Sequence, residues 1–120
     1  MIKEGDLKSA KYWGQYEVLK VVEIDTPEIA ASTETGKAIF KYTLAKIRWT
    51  DGKRDFWFPY WVSIKGKEKY GQYAPMMSEG SLRNLLQKAI NRGFFSKTFL
   101  NKLSKTVNNK LNVELKEQKN

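Results

Sequence analysis

Neither cysteine nor histidine occurs among the 120 residues of this chain. Without cysteine there can be no disulfide bond and no thiolate metal ligand. Without histidine, the commonest general base and the commonest zinc ligand are both missing. The sequence also lacks a phosphate-binding P-loop and a GxGxxG dinucleotide motif. We therefore predict a protein that is not an enzyme and that needs no metal and no cofactor.

Long hydrophobic runs are missing as well. The first residues contain no apolar stretch of the signal-peptide kind, and no segment has the length of a membrane span. Hydrophobic residues make up 41% of the chain and aromatic residues 13%, which suits a single folded domain spanning residues 1–120. We expect a soluble, cytoplasmic protein with no membrane partner.

Acidic residues are scarce in the second half of the chain. The net charge is +9, and seven Lys and Arg residues lie between Glu79 and Glu114 without a single acid. A solvated helix usually mixes both signs, because opposite charges at i,i+4 attract. Clustering of one sign indicates an anionic partner. Nucleic acid is favoured over an acidic membrane surface or a small-molecule substrate, and a lysine-rich proteome is the alternative explanation.

The apolar pattern predicts strands followed by helices. Strands are expected at Gln15–Ile24, Ala38–Thr50 and Arg54–Ile64, with a fourth near Lys69–Ala74 or around Tyr12. The small, polar stretch Glu28–Gly36 is predicted to be a loop. Ser81 and Ser96 are expected to begin two helices, Gly93 to end the first, and Leu111–Asn120 to fray. The predicted fold class is α+β, with a small antiparallel sheet of three to four strands and two C-terminal helices packed on one face.

A predicted hairpin between Phe40 and Ile64 contains three of the four tryptophans. Asp51-Gly52 is a strong hairpin signal, and a two-residue turn there would pair Thr50 with Lys53. That register gives one mostly apolar face, suited to the core, which consists of Thr43, Ala45, Ile47, Trp49, Arg54, Phe56, Phe58 and Tyr60. The opposite face would carry Phe40, Tyr42, Leu44, Lys46, Arg48, Lys53, Asp55, Trp57 and Trp61.

The second of these faces mixes aromatic and basic side chains. Lys46 would lie directly across from Trp57, a pair that is stable only where the ammonium group reaches water or an anion. We predict that this face is open and binds unpaired bases by stacking on Trp57 and its aromatic neighbours. The competing interpretation is that Trp57 is a core residue. The predicted phosphate contacts are Lys46, Arg48, Lys53 and Arg54, together with part of the basic surface of the predicted helices.

Pro59 interrupts the predicted register, because in this pairing it lies opposite Leu44 and has no N–H to donate. We expect a bulge, a sheet edge or a break in pairing at this point. A bulge would reverse the facing of every later residue, including Trp61.

The aromatic and basic strands FKYTLAKIRW and RDFWFPYW, followed by the helix SLRNLLQKAINRGFF, resemble the archaeal ThermoDBP-type single-stranded DNA-binding proteins. In that family a small antiparallel sheet packs against helices, and an aromatic cleft with basic edges holds the strand. The resemblance implies a cleft formed by Tyr42, Lys46, Trp57 and Trp61, with Arg48 and Arg54 at its edges. Lys110 interrupts the heptad pattern of Leu103 and Val107, so a monomer and a homodimer both stay open.

These observations predict a non-enzymatic protein that binds single-stranded DNA or RNA on a basic, aromatic sheet face. The residues predicted to contact the nucleic acid are Phe40, Tyr42, Lys46, Arg48, Lys53, Arg54, Trp57 and Trp61. Two alternatives stay open, namely a small chromatin-type protein that binds duplex DNA and a protein–protein adaptor that uses the same aromatic face.

Overall fold

The long strand Gly36–Trp49 lies at the centre of one antiparallel sheet. The computed structural model describes residues 2–10, 12–33, 36–71 and 74–119. Its strands are β1 (Leu7–Ala10), β2 (Gly14–Glu23), β3 (Glu28–Thr33), β4 (Gly36–Trp49), β5 (Arg54–Trp57), β6 (Tyr60–Ile64) and β7 (Lys67–Tyr70). Its helices are α1 (Glu79–Asn91) and α2 (Lys97–Lys119).

The seven strands of the described residues form one sheet that curls into a half-barrel. Five of them follow the order β1-β2-β4-β6-β7, and β3 and β5 each pair with β4 beside this path. The first half of β4 pairs with β3 and β6, and its second half pairs with β2 and β5. The predicted sheet of three to four strands is therefore wrong. Strand β7 overlaps the predicted fourth strand Lys69–Ala74, of which residues 72 and 73 lie outside the described part of the chain.

Strand β3 was predicted from the sequence to be a loop. Its small, polar residues favour a loop, yet Glu28 pairs with Phe40 and Ile29 pairs with Ile39 on β4. Main-chain pairing with a long, buried neighbour outweighs the weak strand propensity of this segment. Residues 34 and 35 of the predicted loop lie outside the described residues.

The hairpin between β4 and β5 turns through three residues rather than two. The backbone N–H of Trp49 donates to the carbonyl of Lys53 at 2.8 Å, and Gly52 takes a φ of +89°. Thr50 therefore belongs to the loop, and Lys46 pairs with Phe56 while Ala45 pairs with Trp57. This shift by one residue moves Lys46 and Trp57 to opposite faces of the sheet, because successive side chains alternate.

Pro59 breaks the ladder without changing the register. The pairing of Ala45 with Trp57 before it and of Tyr42 with Tyr60 after it follows one continuous alignment. In that alignment Pro59 lies opposite Thr43, whose N–H and hydroxyl both donate to the Pro59 carbonyl, at 3.0 and 2.6 Å. The missing N–H separates β5 from β6, but the facing of Trp61 is not reversed.

Both faces of β4 are buried, and we name them by what covers them. The helix face packs on α1 and Phe94 through Val22, Ile24, Tyr42, Leu44 and Tyr60. The opposite side, here called the open face, contains a second cluster formed by Ile2, Val18, Ala45, Ile47 and Trp61. The two clusters explain why the sequence of β4 is almost continuously apolar and does not alternate between apolar and polar residues.

Helix α1 is fixed at both ends. The side chain of Ser78 accepts from the backbone N–H of Ser81, so the N-cap lies three residues before the predicted Ser81. At the other end, Gly93 has a φ of +75°, as expected for a glycine that ends a helix. Lys20 and Lys46 donate from β2 and β4 to the carbonyls of Arg92 and Phe94, at 2.7 and 2.8 Å.

Helix α2 extends away from the sheet. Ser96 caps its start, as predicted, by accepting from the N–H of Phe99 at 3.1 Å. Every residue from Asn101 to Glu117 is exposed, so the prediction that both helices pack on one sheet face is wrong for α2. The helix continues to Lys119, through the stretch in which we expected fraying, and Asn120 lies outside the described residues. Neither helix of the described chain has an apolar stretch long enough to cross a bilayer.

Candidate nucleic-acid interface

A continuous row of five aromatic rings lies on the open face. The row consists of Trp49, Tyr16, Trp57, Tyr70 and Trp61. Successive ring centroids are separated by 5.2, 5.8, 6.2 and 5.9 Å. These separations are those of interacting aromatic pairs. The aromatic row therefore forms one connected surface across the sheet.

Strand pairing brings the five rings together from five strands. Tyr16 of β2 pairs with Trp49 of β4, and Trp61 of β6 pairs with Tyr70 of β7. Trp57 of β5 lies between these two pairs, since it pairs with Ala45 of the open-face cluster. The residues are far apart in the sequence, and only the register of the sheet aligns them on one side.

The five rings of the row differ in how much of each side chain is exposed to solvent. Trp61 is 8% exposed and belongs to the core, whereas Tyr70 is 50% exposed. Tyr16, Trp49 and Trp57 are half-buried and pack on the core from its solvent side. The row can therefore offer ring surface to a ligand while its lower edges are held in place.

The two tyrosines of the row stay protonated at neutral pH. Burial, and then the neighbouring Tyr70, raise the pKa of Tyr16. Burial is also the main cause of the raised pKa of Tyr70, although a hydrogen bond with Trp57 acts in the opposite direction. Both hydroxyl groups are therefore neutral and can donate or accept hydrogen bonds.

One end of the row opens into a pocket of about 540 Å³. Its lining residues are Ala10, Tyr16, Ile47, Trp49, Asp55, Phe56 and Trp57. Asp55 is the acidic group among them, and it accepts a hydrogen bond from the indole Nε1 of Trp49 at 2.8 Å. An apolar, aromatic pocket with one polar group is the usual composition of a small-ligand or base site.

Basic residues near the row are few. Lys8 pairs with Tyr16 across β1 and β2, and Lys53 lies two residues before Asp55 on the same side of the hairpin. Both lysines are exposed. Lys41 also belongs to this side, but it forms an ion pair with Glu68 at 3.1 Å. The open face is therefore more aromatic than cationic.

The four predicted aromatic contacts separate into two pairs. Trp57 lies on the open face as predicted, and Trp61 lies there too but is buried. Tyr42 is 4% exposed in the helix-face core, and its hydroxyl donates to the carbonyl of Met76. Phe40 stacks on Tyr42 with a centroid separation of 6.0 Å. Tyr42 and Phe40 are therefore structural residues, on the side of the sheet away from the aromatic row.

The four predicted basic contacts are also divided. Lys46 points to the helix face, where burial and the nearby charges of Arg54 and Lys20 lower its pKa. Arg48 forms an ion pair with Glu17 at 2.7 Å. Arg54 is exposed and pairs with Arg48 on the helix face. Of the four, Lys53 is the one beside the aromatic row.

The sequence prediction did not include Tyr16, Trp49, Tyr70 or Asp55 among the contacts. Trp49 was placed with the core because the turn was counted one residue too short. Tyr16 and the buried Val18 are two residues apart on β2, and this spacing could have shown that their side chains share a face. Tyr70 carries no comparable signal, because β7 is short and wholly exposed.

The described residues contain no group of three or more side chains arranged to hold a metal ion. No protein-family model matches the chain, and no curated protein or solved structure is similar to it. The interpretation of the site therefore depends on its own geometry and chemistry.

Proposed function

We propose that this protein binds single-stranded DNA or RNA without catalysing a reaction, and that unpaired bases stack on the aromatic row. The observation that carries the proposal is the continuity of the five rings, with Trp57 at the centre and Tyr70 half exposed. A base stacked on an aromatic side chain typically contributes about 1–3 kcal/mol to binding. We also propose that the protein is cytoplasmic and that it is related to the ThermoDBP-type proteins, as the sequence predicts.

A single strand suits this surface better than a duplex does. Stacking needs access to the flat face of a base, and in a duplex those faces are covered by neighbouring base pairs. A duplex would be held mainly through phosphates, which requires many cations in one place. The open face has Lys8 and Lys53 but lacks a dense basic stripe among its described residues.

The test compares Trp57→Ala with Trp13→Ala. Trp13 is 79% exposed at the turn between β1 and β2, and none of the ring contacts among the described residues joins it to the aromatic row, so its loss serves as a matched control. Affinity for a labelled, mixed-sequence single strand is measured by fluorescence anisotropy. We expect Trp57→Ala to weaken binding by roughly 5- to 150-fold, from the loss of one stacked base, and Trp13→Ala to leave it unchanged.

Because Trp57 is half-buried, its removal can also weaken the fold. Tyr70→Ala provides a second test, since the side chain is more exposed, and circular dichroism checks that each variant is folded. If folded Trp57→Ala and Tyr70→Ala proteins both bind as tightly as the wild type, the aromatic row is not the binding surface.

A protein–protein adaptor is the second candidate. The modest charge of the open face favours it, because exposed aromatic residues with few cations are typical of interface hot spots. The two functions differ in their response to nucleic acid. Flat titrations with single-stranded DNA, single-stranded RNA and duplex at low salt would favour the adaptor, whereas binding that prefers single strands would favour the proposed function.

A further inference from the structure

We propose that Asp55 makes the aromatic pocket select bases that carry an exocyclic amino group, so that cytosine binds more tightly than uracil. This inference depends on the proposed function, because it concerns the same surface. It starts from an acidic side chain in a site that would otherwise be suited to any base. Asp55 lines the pocket together with Tyr16, Trp49 and Trp57.

The position of Asp55 is set by two contacts of the sheet. Its backbone pairs with Ile47 of β4, which places the side chain on the open face. One carboxylate oxygen then accepts from the indole N–H of Trp49 at 2.8 Å. Within the described chain, the other oxygen has no hydrogen-bond partner and is available to a ligand in the pocket.

The chemistry of a carboxylate decides which bases it can accept. An ionised carboxylate is an acceptor only, so it needs a donor on the base. Cytosine presents its N4 amino group, and aspartate accepting from cytosine N4 is a known pairing. Uracil and thymine carry a carbonyl oxygen at the same position, and two acceptors facing each other repel. The rings of the pocket provide stacking that does not distinguish the bases, and Asp55 adds the distinction.

The structure also reduces the cost of placing an acid near a phosphate chain. Lys53 lies two residues earlier on the same side of the hairpin, and it is exposed. Its ammonium group can contact the phosphates that flank a base held beside Asp55. In this arrangement the carboxylate of Asp55 contacts the edge of the base, and Lys53 contacts the phosphate backbone of the nucleic acid.

The test uses oligo-dC and oligo-dU of equal length, because the two bases have nearly the same shape and differ at the relevant position. Affinities of the wild type and of Asp55→Asn are measured by fluorescence anisotropy at one salt concentration. An asparagine side chain keeps its carbonyl oxygen as the acceptor for Trp49 and then presents amide N–H donors to the base in place of the carboxylate acceptor. Thermal melting confirms that the variant is folded.

We expect the wild type to bind oligo-dC roughly 5- to 150-fold more tightly than oligo-dU, the range of one specific base contact. Asp55→Asn should lose this preference or reverse it towards oligo-dU, because its amide N–H matches the carbonyl oxygen of uracil. Equal binding of the two oligonucleotides by the wild type would overturn the role of Asp55 and leave the proposed function intact. A preference that persists in Asp55→Asn would assign selection to another group. If the wild type binds neither oligonucleotide, the proposed function itself fails.

Discussion

Replacement of Gly71 by alanine should destabilise the sheet beside the aromatic row. Gly71 follows β7, and its N–H donates to the carbonyl of Tyr60 at 2.8 Å. A Cβ atom added at Gly71 would lie under 3.0 Å from the Tyr60 ring, a separation that real Cβ atoms essentially never show. The φ of Gly71 lies outside the left-handed region, so the effect is steric and not a matter of backbone strain.

The Tyr60 ring has little freedom to move away. It is buried in the helix-face core, with the rings of Tyr42 and Phe40 at centroid separations of 5.7 and 6.4 Å. Overpacking of this kind typically costs about 1–3 kcal/mol. For a domain of this size, a loss of about 2 kcal/mol corresponds to a fall in Tm of roughly 8 °C.

Urea denaturation and thermal circular dichroism measure the change, with Gly80→Ala as the control. Gly80 lies in the first turn of α1, where the nearest atom to an added Cβ is the Ser78 hydroxyl oxygen at 3.9 Å. Alanine there should be neutral or stabilising by up to about 1 kcal/mol. If Gly71→Ala is as stable as the wild type, β7 does not end against Tyr60, and the position of Tyr70 in the aromatic row is wrong.

Three further results are expected. Hydrogen bonds, of which that from Lys88 is the largest cause, lower the pKa of Asp25, so the contribution of Asp25 to stability is complete at neutral pH and is lost as the pH falls below about 4. In Asp25→Asn, the unfolding free energy measured by urea titration should therefore fall less between neutral and acidic pH than it does in the wild type. Truncation after Asn101 should remove helical ellipticity but change the unfolding free energy of the sheet by less than about 0.5 kcal/mol, because residues 102–117 of α2 are all exposed. Tyr42→Phe should cost about 1 kcal/mol, from the lost hydrogen bond to Met76, and leave the affinity for single strands unchanged.

Features with a local cause could be predicted from the sequence. Strand β2 was expected at nearly its observed limits, because Gln15–Ile24 is rich in β-branched and aromatic residues. Gly93 and Ser96 were assigned correctly to the end of one helix and the start of the next, since their roles depend on neighbouring backbone alone.

The face of each hairpin residue could not be predicted, because the difference between two registers is small. Asp-Gly fits a two-residue turn and also a three-residue loop with Gly52 in the left-handed region. Alternation usually resolves such a choice, but here both faces of β4 are buried, with Leu44 on one and Ile47 on the other. The side chain of Asp51, which accepts from the N–H of Lys53 at 2.9 Å, belongs to the longer loop.

That single residue changed the candidate site more than any other difference. It moved Tyr42 and Lys46 onto the helix face and brought Trp49 onto the face that Asp55 and Trp57 share. The prediction that the hairpin presents an aromatic face thus kept Trp57 but replaced most of its partners. The lesson is specific to doubly buried strands, where composition shows that a strand is central but not which side it presents to a ligand.

Some of the lysines that contribute to the net charge of +9 stabilise the fold, so not all of this charge is available to an anionic partner. Lys20 and Lys46 donate to carbonyl groups at and just beyond the C-terminal end of α1, where a cation interacts favourably with the helix dipole. Lys88 binds Asp25 and the carbonyl of Glu23. Ammonium groups engaged in this way are poor phosphate ligands, because binding a phosphate would leave the backbone carbonyls without a donor. A count of basic residues therefore overstates the cations available for phosphates, and in the function that we propose the affinity of the open face comes mainly from stacking on the aromatic row.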